Sequence, residues 1–216
     1  MVNSRKSEVA LLEQYRIVLE GTKNQPQIVS EMEKLNYDTN KITEGQELLL
    51  QARRAYNFSK QEDKKTIKVS EVFKKEKEIL NKQFKKHRKK AKTIFRKNPE
   101  ILKKLGIDSI VPYVYINWIE NTRKFYKEID FGIQQRLILL KITERDVADS
   151  LVQVEKVEMA RAEYLREKGK LQNANKQKRA AIVKVTDWML EFYFIAEIAL
   201  EDHPKLVEAL GGKRKS

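Results

Sequence analysis

Residues 82–97 hold the densest group of chemically active side chains in this 216-residue sequence, with nine lysines and arginines and no aspartate or glutamate. The nine are Lys82, Lys85, Lys86, Arg88, Lys89, Lys90, Lys92, Arg96 and Lys97. On a helix these side chains fill an arc of roughly 200° beside an apolar stripe. Cations packed so closely repel one another, and phosphate groups relieve that repulsion. Sequence-nonspecific contact with nucleic acid or another polyanion is therefore one predicted role.

Two other interpretations of the same segment stay open: a helix face that is merely solvated, and a surface for an acidic protein partner. Lysine outnumbers arginine seven to two among the nine cations, which suits nonspecific phosphate contact better than base recognition. The exposed arc has no interleaved aromatic residue, and no known nucleic-acid-binding motif is present. Contact of this face with a membrane surface is a further alternative.

The rest of the sequence gives no support for catalysis or metal binding. Without cysteine there is no disulfide, thiolate ligand or thiol nucleophile. Neither His87 nor His203 has the glutamate three positions earlier that a di-iron site in a helical bundle requires. His87 falls in the apolar stripe, so we expect it to pack in the core. No glycine-rich phosphate loop occurs, and the sequence predicts no catalytic site, metal site or cofactor.

The composition favours long helices with charged surfaces. Seven glycines and four prolines are too few for a turn-rich β fold, while 35% charged and 41% hydrophobic residues suit packed helices. The N-terminus has no continuous apolar run, and the densest apolar segment, 188–200, is shorter than the about 20 residues that span a bilayer. We therefore expect a cytoplasmic protein without a membrane span.

The net charge of +14 comes from one part of the chain. Residues 60–104 contain 18 basic and 6 acidic side chains, and residues 213–215 add three cations. The remainder is nearly neutral, with 24 basic and 25 acidic residues. The basicity is therefore a local feature of the fold.

Three short segments recur in the same order later in the chain. The pairs are 41–44 with 141–144, 52–56 with 160–164, and 98–106 with 203–211. Their spacings are 100, 108 and 105 residues. At the spacing of 105, the apolar positions of 80–95 also fall on apolar positions of 185–200. An internal duplication is therefore predicted.

The predicted repeat is a helical hairpin followed by a short helix. Polar stretches at 59–66 and 169–175 are the predicted turns. One hairpin cannot bury its apolar stripe alone, whereas two can form a four-helix bundle. The predicted fold is all-α, an elongated four-helix bundle in one domain built from two duplicated hairpins. Its segments are N-terminal helices at 1–37, a hairpin at 41–107, a connecting helix at 108–140 and a second hairpin at 141–212.

Two segments carry further expectations about packing. Leu190, Phe194 and Ile198 widen the apolar stripe of the last long helix, so we expect that helix to be the most buried. The segment 113–126 is rich in tyrosine and tryptophan. We expect one of its faces to pack on the bundle, and the other to fill the core or to meet a partner.

Sustained amphipathic helices without a catalytic constellation predict a non-enzymatic helical scaffold or interaction protein. Its partner is either another protein or a second copy of the chain, with a dimer forming through a face of the bundle. The alternative function is sequence-nonspecific nucleic-acid binding through the nine cations of 82–97.

Overall fold

A computed structural model describes residues 7–210 of the chain, apart from the side chains at positions 208 and 209. Within this range the chain forms eight α-helices and no β-strand, so the predicted all-α class is confirmed. The helices are α1 (Glu8–Lys23), α2 (Pro26–Glu33), α3 (Thr39–Ile94), α4 (Pro99–Lys104), α5 (Tyr115–Lys127), α6 (Phe131–Ile138), α7 (Glu144–Ala199) and α8 (Pro204–Ala209). None of the described helices combines the length and the apolar content needed to cross a membrane.

Several helix starts follow from local sequence signals. The sequence from Thr143 to Asp146 resembles a capping box and forms one at the start of α7: the Thr143 amide donates to the Asp146 carboxylate at 2.8 Å, and the Asp146 amide donates to the Thr143 hydroxyl at 3.1 Å. The bonds from Thr143 lower the pKa of Asp146. Pro26 and Pro99 open α2 and α4, where a missing amide proton costs nothing. These starts are therefore encoded locally.

The predicted turn at 59–66 is wrong, because α3 continues through it as one helix of 56 residues. The stretch has no glycine or proline, and its lysines, glutamine and glutamate are good helix formers. Its buried polar groups also find partners: the Ser59 hydroxyl donates to Asn175 Oδ1 at 2.8 Å, and the Thr66 hydroxyl donates to the Glu167 carbonyl at 3.3 Å. The polar composition of 59–66 therefore reflects a helical segment with polar partners and not a turn.

The predicted turn at 169–175 is also wrong, since α7 is likewise a single helix of 56 residues. Gly169 lies in open space and costs the helix only its own low propensity, about 1 kcal/mol. Ala174 is buried, which ties this stretch to the packed interior. The segments 41–107 and 141–212 are therefore not hairpins, and each contains one long helix followed by a short one.

The chain divides into two compact units. Unit 1 combines the described residues 7–63 and 170–210, and it contains α1, α2, the first part of α3, the last part of α7 and α8. Its core is one cluster of apolar side chains from these helices. The largest fully buried members are Leu19, Ile28, Met32, Met189 and Phe192. Tyr37 packs its ring against Phe192 at a centroid distance of 6.1 Å.

Unit 2 consists of residues 64–169, with the last part of α3, α4, α5, α6 and the first part of α7. Its core also forms one apolar cluster. The largest fully buried members are Phe84, Phe95, Phe125, Tyr126 and Leu105. Phe84 meets Phe125 edge to face at 5.5 Å between ring centroids, a favourable aromatic geometry.

Helices α2, α3 and α4 recur as α6, α7 and α8 at a spacing of 105 residues. Helices α2 and α6 have 8 residues each, α3 and α7 have 56 each, and the members of each pair begin 105 positions apart. Asn36 and Lys141 are also 105 apart and share a positive φ, 60° and 56°. The next amides, of Tyr37 and Ile142, donate back to Met32 and Leu137 carbonyls, so α2 and α6 end in the same C-capping motif. The matches of 41–44 with 141–144, spaced by 100, and of 52–56 with 160–164, spaced by 108, lie outside this register.

Candidate anion-binding groove and apolar groove

The nine cations predicted as a binding face lie on the part of α3 that belongs to unit 2. Six are exposed: Lys82, Lys85, Lys86, Lys89, Arg96 and Lys97. Three are half-buried: Arg88, Lys90 and Lys92. Phe84, Ala91 and Phe95 of the apolar stripe are fully buried, as the helical spacing predicted.

Two of the nine cations hold the fold together. The Arg88 guanidinium donates to the carbonyl oxygens of Ser109 and, at 3.5 Å, of Ile107, and burial lowers its pKa. The Lys90 ammonium donates to the Leu140 carbonyl at 2.5 Å, just beyond the end of α6. The last carbonyls of a helix lack intrahelical donors, so Lys90 caps α6. Both side chains have structural roles.

A third cation, Lys82, forms an exposed ion pair with Glu78 at 2.7 Å and lowers the pKa of that carboxyl group. The side chains of the other six form no hydrogen bond or ion pair with any described residue: Lys85, Lys86, Lys89, Lys92, Arg96 and Lys97. Surface charges without local partners remain available to a ligand. The candidate anion-binding set is therefore these six.

An open groove of about 320 Å³ runs along this face, and we call it the basic groove. It is lined by Lys85, Arg88, Lys89, Lys92, Thr93 and Val111. Lys85, Lys89 and Lys92 lie on successive turns of α3, so their ammonium groups share one side of the helix. Of the described residues, no acidic one lines the groove. The arrangement can hold phosphate or carboxylate groups through charge-assisted hydrogen bonds.

His87 is buried behind this face, as the sequence predicted. Its Nδ1 lies 3.2 Å from the Tyr126 hydroxyl, and the two rings meet edge to face. Burial lowers the pKa of His87. The nearby charge of Asp146 raises this pKa by a smaller amount, and that of Lys90 lowers it further. His87 is thus a packed core residue with a hydrogen-bonding partner.

The loop 108–114 borders the basic groove. The predicted connecting helix at 108–140 places Pro112 in its first turn, and this start is wrong, because α5 begins at Tyr115. The Ser109 carbonyl is held by Arg88, and Val114 has an extended backbone, so the chain enters α5 only after the loop. The proline marks a loop residue and not a first helical turn.

This loop carries the most exposed aromatic side chain in the described range. Tyr113 is 99% exposed and Ile110 is 87% exposed, while Val111 lines the basic groove. The sequence predicted that part of the aromatic segment packs in the core, and Trp118 and Phe125 do so. The exposed loop beside the lysines was missed, since Pro112 was interpreted as a helix start.

A second groove, of about 270 Å³, lies in unit 1, and we call it the apolar groove. It is lined by Gln14, Leu190, Tyr193, Phe194, Ala196, Glu197, Val207 and Leu210. Leu190, Phe194 and Ile198 are 52%, 64% and 57% exposed. The prediction that the last long helix is the most buried is therefore wrong for this side of α7. The core of unit 1 is closed by the adjacent face of α7, with Met189 and Phe192. The wide apolar stripe therefore has one buried and one exposed edge.

Acidic side chains accompany the apolar groove along α7 and just beyond it, and we call them the acidic rim; Glu197 is the one that lines the groove. Residues 187–202 contain five acidic side chains and no lysine or arginine. The five are exposed: Asp187, Glu191, Glu197, Glu201 and Asp202. None of them forms a described ion pair. The apolar groove therefore combines apolar lining residues with nearby negative charge.

The two grooves occupy corresponding positions of α3 and α7. Four positions of the basic groove recur 105 residues later in the apolar groove: Lys85 as Leu190, Arg88 as Tyr193, Lys89 as Phe194 and Lys92 as Glu197. Beneath them, Phe84, Ala91 and Phe95 and their counterparts Met189, Ala196 and Leu200 are all buried and apolar. At these positions the two units differ at the surface and not in the core.

Other clusters of the described residues do not suggest an active centre. Within the described range, no three histidine, cysteine, aspartate or glutamate side chains are grouped so that they could hold a metal ion. The chain matches no protein-family model, no curated protein and no solved structure. The assignment of a role therefore depends on the two grooves.

Proposed function

We propose that this protein is a non-enzymatic scaffold that binds a protein partner through the apolar groove. The main support is the strip formed by Leu190, Phe194 and Ile198, each more than half exposed. Full burial of such a side chain is favourable by about 1.5 to 3 kcal/mol. Exposed apolar strips with a polar border commonly mark sites of protein interaction.

We also infer that the chain arose by duplication of a four-helix segment and not of a hairpin. Support comes from the equal lengths of three of the four helix pairs at the spacing of 105 (α2 with α6, α3 with α7 and α4 with α8) and from matching buried positions. These include Ile28 with Ile133, Met32 with Leu137, Phe84 with Met189, Ala91 with Ala196 and Phe95 with Leu200. Each unit combines the first helices of one copy with the end of the long helix of the other. This composition is that of a domain-swapped dimer joined into one chain.

The duplication bears on function because it separates what the fold needs from what it does not. A core position shared by both copies is explained by packing. The lysines of the basic groove and the exposed apolar residues of the apolar groove have no such counterpart. Their side chains therefore suit a role in binding.

Photo-crosslinking tests the scaffold role. A benzoylphenylalanine residue replaces Phe194, or, as a matched control in the same unit, Phe58, which is 47% exposed. We expect a crosslinked adduct of higher mass from position 194 on irradiation in the producing cell, and none from position 58. Equal labelling at the two positions, or no adduct at position 194, contradicts the proposal.

The second candidate function is nonspecific binding of nucleic acid through the basic groove. The observation that favours it is the convergence of Lys85, Lys89 and Lys92 in a groove without a lining acid. Affinity of this kind depends on counterion release and falls steeply with salt. Because lysine ammonium groups contact phosphates as point charges and phosphate contacts carry no sequence information, discrimination between sequences is expected to be weak.

A salt-titrated gel shift tests this second function. Binding at about 50 mM salt that weakens strongly by about 200 mM is expected. Replacing Lys85, Lys89 and Lys92 with glutamate is expected to abolish the shift. The control replaces the exposed lysines 68, 74 and 75 of the same helix with glutamate, which changes the charge equally. An equal loss of nucleic-acid binding in both variants would show that binding depends on the total charge and not on the basic groove.

A further inference from the structure

We propose that copies of this chain associate head to tail, with the loop 110–114 of one copy seated in the apolar groove of the next. The head is the loop with Ile110, Tyr113 and Val114 and the lysine border of the basic groove. The tail is the apolar groove with its acidic rim. This inference rests on the proposed scaffold role and names a second copy as the partner.

The negative charge of the acidic rim limits which surfaces can bind in the apolar groove. A symmetric contact would bring Glu197 and Glu201 of both copies to the same interface, where like charges repel. A partner with an apolar centre and a basic border has the complementary pattern. The apolar groove therefore selects a surface of opposite charge.

The chain itself carries such a surface in unit 2. Ile110, Tyr113 and Val114 are 87%, 99% and 58% exposed within five residues of one loop. Lys85 and Lys89 border the loop across the basic groove and have no described acidic partner. Apolar side chains inside a cationic border thus face solvent as a counterpart of the tail.

The head is held in place before binding. Arg88 donates to the Ser109 carbonyl at the base of the loop, and Val111 packs into the basic groove. A loop fixed in this way loses little conformational freedom on association. The tail volume of about 270 Å³ is below the range of about 300–1,000 Å³ typical of small-molecule pockets. It suits one or two inserted side chains such as Tyr113.

A contact between two different surfaces leaves one head and one tail free in every pair. Such heterologous contacts continue into a chain of copies or close into a ring. The mass of the wild-type protein is therefore expected to rise beyond that of a dimer as the concentration increases.

Sedimentation velocity of matched variants tests this arrangement. The head variant carries Ile110→Ser and Tyr113→Ser, the tail variant carries Leu190→Ser and Phe194→Ser, and Phe58→Ser is the control. Each of the first two is expected to weaken self-association at least about 30-fold, as for central interface residues. A 1:1 mixture is expected to form a discrete dimer, because one intact head and one intact tail remain. Circular dichroism verifies that each variant keeps its helices.

Several outcomes overturn the proposal. A head variant that still dimerises while the tail variant does not shows a symmetric groove contact. A wild-type chain that stays monomeric, or an assembly that disappears after nuclease treatment, excludes direct contact between copies. In the crosslinking experiment, an adduct at position 194 with a different protein contradicts head-to-tail association and keeps the scaffold role. The absence of an adduct removes the scaffold role itself.

Discussion

Residues 82–97 and 187–202 occupy equivalent places in two 56-residue helices, yet they present opposite surfaces. The first segment has nine cations and no acid, and the second has five acids and no cation. Beneath these surfaces Phe84 and Met189, like Phe95 and Leu200, are fully buried. These inner positions are apolar in both segments, while the outer faces carry opposite charge.

The comparison teaches that the outer residues of these helices are not set by the fold. If packing required a basic outer face, the second segment would share it. The same holds in reverse for Leu190 and Phe194, whose counterparts are Lys85 and Lys89. The surfaces are therefore the part of the molecule in which we expect binding to reside.

The largest expected effect is on the shared inner face. Phe84→Ala is expected to lower the free energy of unfolding by about 3 to 5 kcal/mol, and Met189→Ala by about 2 to 5 kcal/mol, because each leaves a cavity in a closed core. Phe194→Ala on the outer face is expected to change it by less than about 0.5 kcal/mol. Urea unfolding measures all three. A cost for Phe194→Ala as large as that for Met189→Ala would break the comparison.

The next effect concerns a place where the two inner faces differ. A Cβ at Gly45 would lie 2.4 Å from the Trp188 ring, while the equivalent pair is Ser150 and Gln83. Gly45→Ala is expected to destabilise unit 1 by about 1 to 3 kcal/mol through overpacking, despite the better helix propensity of alanine.

Combining Gly45→Ala with Trp188→Gln is expected to relieve the overpacking, and a double-mutant cycle measures the coupling. Gly21→Ala is the control, since Gly21 faces open space and the change is expected to stabilise by up to about 1 kcal/mol. Additive effects of the Gly45 and Trp188 changes contradict the proposed fit.

A smaller effect separates two adjacent lysines of the basic segment. Lys90→Met is expected to cost about 1 kcal/mol, because the Leu140 carbonyl at the end of α6 loses its donor. Lys89→Met is expected to leave the free energy of unfolding nearly unchanged, since Lys89 is exposed and without a described partner. Urea unfolding of both variants at the same pH is the measurement. Equal costs would show that Lys89 too supports the fold.

The smallest effect is a difference in pH dependence between equivalent core positions. Burial lowers the pKa of His87 below its unfolded value of about 6.5, so the unfolded chain binds more protons as the pH falls. Neutral His87 therefore causes no loss of folding stability above about pH 6.5. As the pH falls below that value, its protonation in the unfolded chain progressively lowers the free energy of unfolding. His87→Phe, which copies the equivalent residue Phe192, is expected to flatten the stability profile between about pH 5 and 7. Identical profiles for the two proteins contradict this account.

The local features of the fold could be predicted from the sequence. The capping box of Thr143 and Asp146, the proline starts of α2 and α4, and the buried place of His87 all depend on neighbours in sequence or on helical spacing. Such signals are complete within a few residues. The spacing of 105 was also visible in the match of 98–106 with 203–211.

The errors arose where distant residues decide the outcome. The stretch 59–66 was predicted as a turn because it contains no apolar residue. Asn175 and the Glu167 carbonyl, from far along the chain, provide hydrogen-bonding partners for its buried hydroxyl groups. The exposure of Phe194 depends on which edge of a wide apolar stripe the neighbouring helices cover. The loop around Tyr113 depends on its anchor at Arg88. None of these could be inferred from local pattern.

The most direct test of the central claim transfers the surface of one segment onto the other. A variant with Lys85→Leu, Lys89→Phe and Lys92→Glu gives the basic groove the residues of the apolar groove. Its free energy of unfolding, measured in urea, is predicted to stay within about 1 kcal/mol of the wild type, because all three side chains lie outside the core. A loss of more than about 3 kcal/mol would show that these lysines serve the fold, and would contradict the assignment of the surface to binding.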